Sequence, residues 1–229
     1  MLWQDEIEED GAPAYAPDVV DLVFRIECRT LPVDHAHALS RAVLTALPWL
    51  DKEPRAGIHT VHPAASGNGW YRPEDPGEGL LHLSRRTPLM LRLPRERIEA
   101  ARTLCGRVLD IDGHPMAVGE AHERRLAAQP TLFARAVLHP PAMAELALVE
   151  SVAEQLHRMG IAPRKILCGR RHRLRTPAQD LHACSVLVAD LQPADAIELQ
   201  RQGIGEGRRL GCGLFIGHKG VAPVKRPDD

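Results

Sequence analysis

The sequence predicts an α+β fold made of two ferredoxin-like (β-α-β-β-α-β) units in tandem. Three observations predict it. Residues 19–118 run strand, helix, strand, strand, helix, strand by their apolar periodicity, with one extra hairpin element. The same order restarts at Leu132. Between the last helix and the last strand of the second unit lies Gly203-Ile-Gly-Glu-Gly-Arg-Arg-Leu-Gly-Cys-Gly213, five glycines in eleven residues. The expected division is an acidic lead-in at 1–18, an N-terminal unit at 19–128 and a C-terminal unit at 129–229 that carries the glycine-rich loop at 203–213.

In the first unit, Val19–Ile26 is rich in β-branched residues and reads as a strand. Asp34 is placed to cap a helix whose apolar residues Ala38, Leu39, Ala42, Val43, Ala46 and Leu47 recur at helical spacing until Pro48. Gly57–Pro63 reads as a short strand, followed by the turn Ser66-Gly-Asn-Gly-Trp70. Leu80–Ser84 and Leu89–Leu93 read as paired strands around Arg85-Arg86-Thr87-Pro88, and Pro94 opens a helix over Arg95–Leu104. Val108–His114 and Met116–Val118 form a hairpin with a glycine turn, and Glu120–Ala128 extends a strand or serves as the crossover.

In the second unit, Leu132–Leu138 is a strand and Ala142–Met159 a helix through Leu146, Val149, Val152, Ala153 and Leu156. Lys165–Cys168 and Ala183–Leu191 are strands, Pro193–Gln202 is a helix ended by Gly203, and Leu214–Ile216 is the last strand.

Composition excludes several classes. The chain has 229 residues, 44% hydrophobic, with a formal net charge of −1, so it is no polycation. Charge is uneven, however. Residues 1–18 carry six acids and no Lys or Arg, whereas 164–175 carry Arg164, Lys165, Arg170, Arg171, Arg173 and Arg175 with no acid. Local charge decides phosphate binding more than net charge does. Aromatics are only 3%, so stacking platforms are few. The five cysteines include no C-x-x-C pair and sit mostly among apolar residues, which argues against a disulfide framework and against zinc. No secretory signal is visible, and no apolar run approaches the roughly 18–20 residues of a membrane span. A reduced, cytoplasmic protein is expected.

The glycine loop is neither a phosphate-binding P-loop, since no Gly-Lys-Ser/Thr follows it, nor a dinucleotide fingerprint, since it runs from helix to strand. Its glycines and Arg208 and Arg209 suit a backbone surface laid against an anion. Taken with Ala56-Gly-Ile-His-Thr-Val-His62, the Ser-Gly-Asn-Gly-Trp turn and Leu83-Ser-Arg-Arg-Thr87, the chain resembles the RAMP superfamily, and within it the Cas-six family of CRISPR RNA-processing endoribonucleases of the myxobacterial type. The likeness covers nearly all of the chain after the lead-in.

The resemblance implies a nuclease that cuts the repeat RNA of a precursor transcript into guide RNAs, with no metal or other cofactor. Metal-free cleavage uses the substrate's own 2′-hydroxyl, which attacks phosphorus, expels the 5′-oxygen and leaves a 2′,3′-cyclic phosphate. Histidine suits the two proton transfers, and arginine or lysine the anionic phosphorane. Of 12 histidines, His59 is favoured as general base or acid with His62 its rival, and His35 and His37 at the start of the first helix are the alternatives. Three residues apart on a strand, His59 and His62 would face opposite sides, so both reach one phosphate only if the segment bends.

Arg164–Arg175 would form a basic hairpin or loop against RNA, or else neutralise the acidic lead-in. Arg85 and Arg86 would contact phosphate or form a solvated turn. Gly203, Gly205, Gly207, Gly211 and Gly213 with Arg208 and Arg209 would contribute the loop's share. Trp70 and Tyr71 are candidates for stacking on an unpaired base. Partners implied are precursor and mature guide RNA, other subunits of a CRISPR interference complex, and a second copy of the chain, but no membrane. Two other functions fit the same fold: a guide-RNA-binding subunit that does not cut, and a tandem module for small ligands or protein contacts.

Overall fold

The computed structural model describes residues 18–62 and 79–218. The predicted Trp70 and Tyr71, the Ser66–Trp70 turn and residues 1–17 of the lead-in lie outside them. The chain is α+β, with strands β1 (Val19–Glu27), β2 (Thr30–Pro32), β3 (Gly57–Ile58), β4 (Leu80–His82), β5 (Pro88–Pro94), β6 (Val108–Ile111), β7 (His114–Arg124), β8 (Leu132–Leu138), β9 (Lys165–Arg175), β10 (Asp180–Ala189) and β11 (Phe215–Gly217). The helices are α1 (Ala36–Ala46), α2 (Ile98–Arg102), α3 (Glu145–Arg158) and α4 (Pro193–Gln202).

Two sheets organise them. The N-terminal sheet has the order β3-β5-β1-β7-β6 and the C-terminal sheet the order β11-β8-β10-β9; β2 and β4 form a separate ribbon. All of these pairings are antiparallel.

Strand alternation explains the first core. Val20, Leu22, Phe24 and Ile26 of β1 point to one face and pack with Leu91 and Leu93 of β5 against Leu39 and Val43 of α1 and Ile98 of α2. Fully burying a side chain such as Leu22 or Phe24 contributes about 1.5–3 kcal/mol. Asp21, Val23 and Arg25 point to the opposite face, which turns toward the C-terminal sheet. A second core joins Leu132, Ala134 and Val186 to Leu148, Val152 and Leu156 of α3 and Ala196 and Leu199 of α4. A third, smaller cluster of Ala36, Ala136, Leu174, Ala183 and Cys212 joins α1 to the C-terminal sheet and the glycine loop.

Two sequence expectations are corrected. β4 pairs with β2 and not with β5: Thr87 N–H bonds back to Ser84 O at 3.0 Å, and Leu83 N–H donates to Arg29 O at 2.9 Å, which sends 80–83 to a different partner. Asp34 does not cap α1. Its Oδ2 accepts the Arg175 N–H at 2.9 Å, and His35 occupies the N-cap position without a side-chain cap bond. Of the two forms expected for the basic run, the hairpin is the one present: 165–175 is β9, an eleven-residue strand whose hairpin with β10 turns at 176–179.

Candidate active site and nucleic-acid interface

α4 ends at Gly203, which leaves the helix with φ 71°, and the loop that follows holds Gly205, Gly207, Gly211 and Gly213 at φ 70°, 82°, 80° and 67°. All five occupy the left-handed region that glycine alone enters at no steric cost. The loop also crosses itself: a Cβ on Gly213 would lie 2.1 Å from Ile204 O, and one on Gly203 would lie 2.4 Å from Gly213 O. At Gly211 a Cβ would meet Thr60 Cγ2 at 2.9 Å and Ile58 O at 3.2 Å. The glycines therefore let the loop fold on itself and pack on the segment after β3.

Arg208 and Arg209 are the chief correction to the site. Both were expected to face an anion, and both turn inward. Arg208 is 8% exposed and donates to the carbonyls of Arg201 and Gln202, the last residues of α4, and to Arg55 O and Ala56 O across the interface. Burial pulls its guanidinium down to about 10, so it remains charged at neutral pH. Arg209 donates to Leu50 O, Asp51 O and Glu53 O at the end of the 3₁₀ turn Pro48–Lys52. Helix ends leave carbonyls unsatisfied, and arginine forks answer them.

The histidine segment lies under this loop. His59 donates its backbone N–H to Met90 O at 3.0 Å, after which the chain leaves the sheet. The His59 ring is 7% exposed, and its Nε2 stands 3.4 Å from Asp21 Oδ1, at ion-pair distance but outside hydrogen-bonding geometry. Burial lowers its pKa from the usual 6.5, Asp21 counteracts, and Arg92 and Arg124 lower it further. His62 is half-buried and shares a hydrogen bond of 2.8 Å with Thr60 Oγ1. The bend required for both to approach one space is present. His59, Thr60 and His62 line a cavity of about 100 Å³ together with Pro88, Met90, Arg135, Gly211, Leu214 and Ile216.

The other two histidines divide sharply. His35 is 2% exposed: its Nδ1 bonds Pro32 O at 2.9 Å, and its Nε2 accepts the Val61 N–H at 3.0 Å. That assigns the neutral tautomer and makes His35 a bracket for the histidine segment. His37 is half-exposed and lines a separate cleft of about 470 Å³ with Asp34, Asp112, Arg175 and Pro177.

The cations are placed as follows. Arg164, just before β9, and Lys165, Arg170, Arg171, Arg173 and Arg175 along that edge strand are exposed. Arg171 donates to Met143 O at 2.8 Å, and Arg173 stands 3.5 Å from Asp180 Oδ2. Asp18, the described acid of the lead-in, pairs with Arg201 and Arg55, not with β9. Arg85 and Arg86 are exposed in the turn before β5.

Sequence reasoning missed Arg135, Asp21, Arg92 and Arg124. Alternation in Leu132–Leu138 was the available signal for Arg135, since an arginine amid buried positions faces the other side of the strand. Among the described residues, no group of three His, Cys, Asp or Glu side chains is placed to hold a metal ion. Burial pushes the Cys184 and Cys212 thiols up to about 12.

Two antiparallel sheets, with a self-crossing glycine loop seated on a histidine segment, have counterparts among solved structures. It superimposes on a solved structure described as a RAMP protein binding different RNA substrates with a TM-score of 0.59 at 13% identity, covering 86% of this chain and 98% of that one. A solved CRISPR associated protein Cas6 gives a TM-score of 0.61 at 12% identity, covering 88% of this chain and all of the other. The Cas6 Crispr family model matches residues 20–220. The CRISPR-associated endonuclease Cas6 of Myxococcus xanthus (strain DK1622) is 30% identical over 197 residues, 86% of this chain and 80% of the relative. The chain belongs to the Cas6 family of CRISPR-associated endonucleases.

Proposed function

We propose that this protein cuts CRISPR repeat RNA in a precursor transcript without a metal ion, in the cavity between the histidine segment and the glycine loop. The single observation that carries the reading is the meeting of His62 and Arg135 in one cavity whose wall is Gly211. An imidazole beside a guanidinium meets two needs of the reaction, a proton acceptor or donor near neutral pH and a fixed cation for the phosphorane. The 2′-oxygen gives its proton to His62 and bonds to phosphorus. The P–O5′ bond breaks, the 5′-oxygen takes a proton from water, and a 2′,3′-cyclic phosphate remains. Thr60 holds the His62 ring through their shared hydrogen bond.

We assign His59 and His35 to positioning, because each is buried against protein groups. The exposed arginines of β9 supply phosphate contacts, in keeping with the RNA-binding description of the RAMP neighbour. The glycine loop contributes by seating the histidine segment, and the two sheet orders support reading each half as one ferredoxin-like unit, 19–128 and 129–229.

The test is incubation with repeat RNA in excess EDTA, beside His62→Ala, His37→Ala and His59→Ala, with a control RNA carrying one 2′-deoxy sugar at the cut. The expected result is one cut, blocked by the deoxy sugar and slowed about 10²–10⁴-fold in His62→Ala. Loss of cutting in His37→Ala alone would move the chemistry to the larger cleft. Tight binding without any cut would make the chain a guide-holding subunit.

A further inference from the structure

One charged surface has no part in the chemistry above. Arg25, near the end of β1, lies on the sheet face that carries Asp21 and Val23, and it pairs in register with Pro88. Directly before Pro88 is the turn of Arg85 and Arg86, closed by Thr87 N–H on Ser84 O at 3.0 Å and Arg86 N–H on Ser84 Oγ at 3.3 Å. Arg29 sits beside the same turn, because its carbonyl accepts the Leu83 N–H at 2.9 Å. Two stretches of chain, 25–29 and 85–86, thus bring four exposed arginines to one place.

Their charge is uncompensated. Arg25, Arg29, Arg85 and Arg86 have no ion-pair partner among the described residues. Several other arginines are matched: Arg41 to Asp112, Arg55 to Glu96, Arg124 to Asp21 and Arg201 to Glu198. Glu27, two residues beyond Arg25 on β1, is exposed and forms no ion pair among the described residues either. Like charges crowded on one turn repel one another in the free protein, and a polyanion removes that penalty. Position says which polyanion. Pro88 is both the register partner of Arg25 and a wall of the His62–Arg135 cavity, so the four arginines begin at the rim of the cavity.

We propose that Arg25, Arg29, Arg85 and Arg86 form a phosphate track that holds the RNA strand flanking the cleaved phosphate. This rests on the reading that the cavity is where RNA is cut. Arginine forks grip phosphate oxygens without regard to base, so the track sets affinity and register rather than sequence preference.

The test is a salt series of binding constants with repeat RNA made uncleavable by a 2′-deoxy sugar at the cut, and with the same RNA trimmed close to the cut on each side in turn. The proteins are the wild type, the quadruple Arg→Ala variant at 25, 29, 85 and 86, and the matching quadruple Arg→Lys variant. For full-length RNA, each lost contact lowers the slope of log K against log salt by about 0.7, so the Ala variant should lose about 3 in slope. The Lys variant should retain most of it. RNA trimmed on one side should bind the Ala variant and the wild type alike. An unchanged constant and slope for full-length RNA would overturn the track, as would an equal loss on all three RNAs. Failure of the nuclease reading shows separately, as wild-type protein that leaves ordinary repeat RNA uncut; because the binding series uses uncleavable RNA, it reports on the track in either case.

Discussion

Asp21 accepts three arginine hydrogen bonds, two from Arg92 and one from Arg124, while His59 stands 3.4 Å away. Burial opposes its ionisation, yet Arg92, His59 and the hydrogen bonds hold its carboxyl well below the usual carboxylate range. His59 is displaced in the same direction, with burial the leading cause. In the unfolded chain the imidazole titrates near 6.5, and in the folded protein it titrates lower. The unfolded chain therefore takes up the proton first as pH falls. The stability held above 6.5 erodes below it, and the contribution of Asp21 follows at lower pH, once its folded carboxyl is protonated. Denaturant unfolding at about pH 7.5 and about pH 5 should show the wild type losing more stability than His59→Gln over that interval. Equal losses would mean that His59 takes up its proton without hindrance in the folded protein.

The glycine loop shows how one element meets several backbone demands at once. Gly213 combines φ 67° with a carbonyl 2.1 Å from where a Cβ would lie. Gly106 has φ 81° and nothing within 4 Å of that point. Gly106→Ala should therefore cost about 1–2 kcal/mol, the left-handed penalty alone. Gly213→Ala should cost at least about 3 kcal/mol, because the backbone itself must move. Denaturant midpoints of the two variants separate these outcomes, and equal costs would show that the loop relaxes freely. Five glycines in eleven residues were plain in the sequence. Their purpose was not, because self-crossing and packing on Thr60 are contacts between residues far apart in the chain. Arg208 and Arg209 were misread for the same reason: a sequence shows two cations beside glycines but not the helix-end carbonyls that lie within their reach.

Across the whole molecule, Arg92 fastens the two sheets to each other. It is fully buried, holds Asp21 within the N-terminal sheet, and donates to Gln200 O at 3.0 Å and Phe215 O at 2.7 Å in the C-terminal half. Arg92→Ala should cost about 3–5 kcal/mol, since it takes two of the three arginine hydrogen bonds from a buried carboxylate, and Asp21→Asn added to Arg92→Met should recover much of that. A thermal melt of the two variants reads the difference, and equal melting temperatures would show that packing alone holds the halves together. No helix among the described residues is long and apolar enough to cross a membrane.

The sequence by itself determined the order of strands and helices, the helix end at Gly203 and the outward basic face of 164–175, because periodicity, glycine and local charge act over a few neighbouring residues. It also brought His59 and His62 into one candidate segment. Only the tertiary structure decided how they differ. It drew His59 toward a buried carboxylate on β1, left His62 half-buried, and set both on a cavity with Arg135 from β8. It also paired β4 with β2, turned Arg208 and Arg209 inward, and gathered four arginines from two stretches of chain beside Pro88. Each of these depends on which surfaces meet when the sheets pack, and that is set by contacts between residues tens of positions or more apart, which local pattern does not encode.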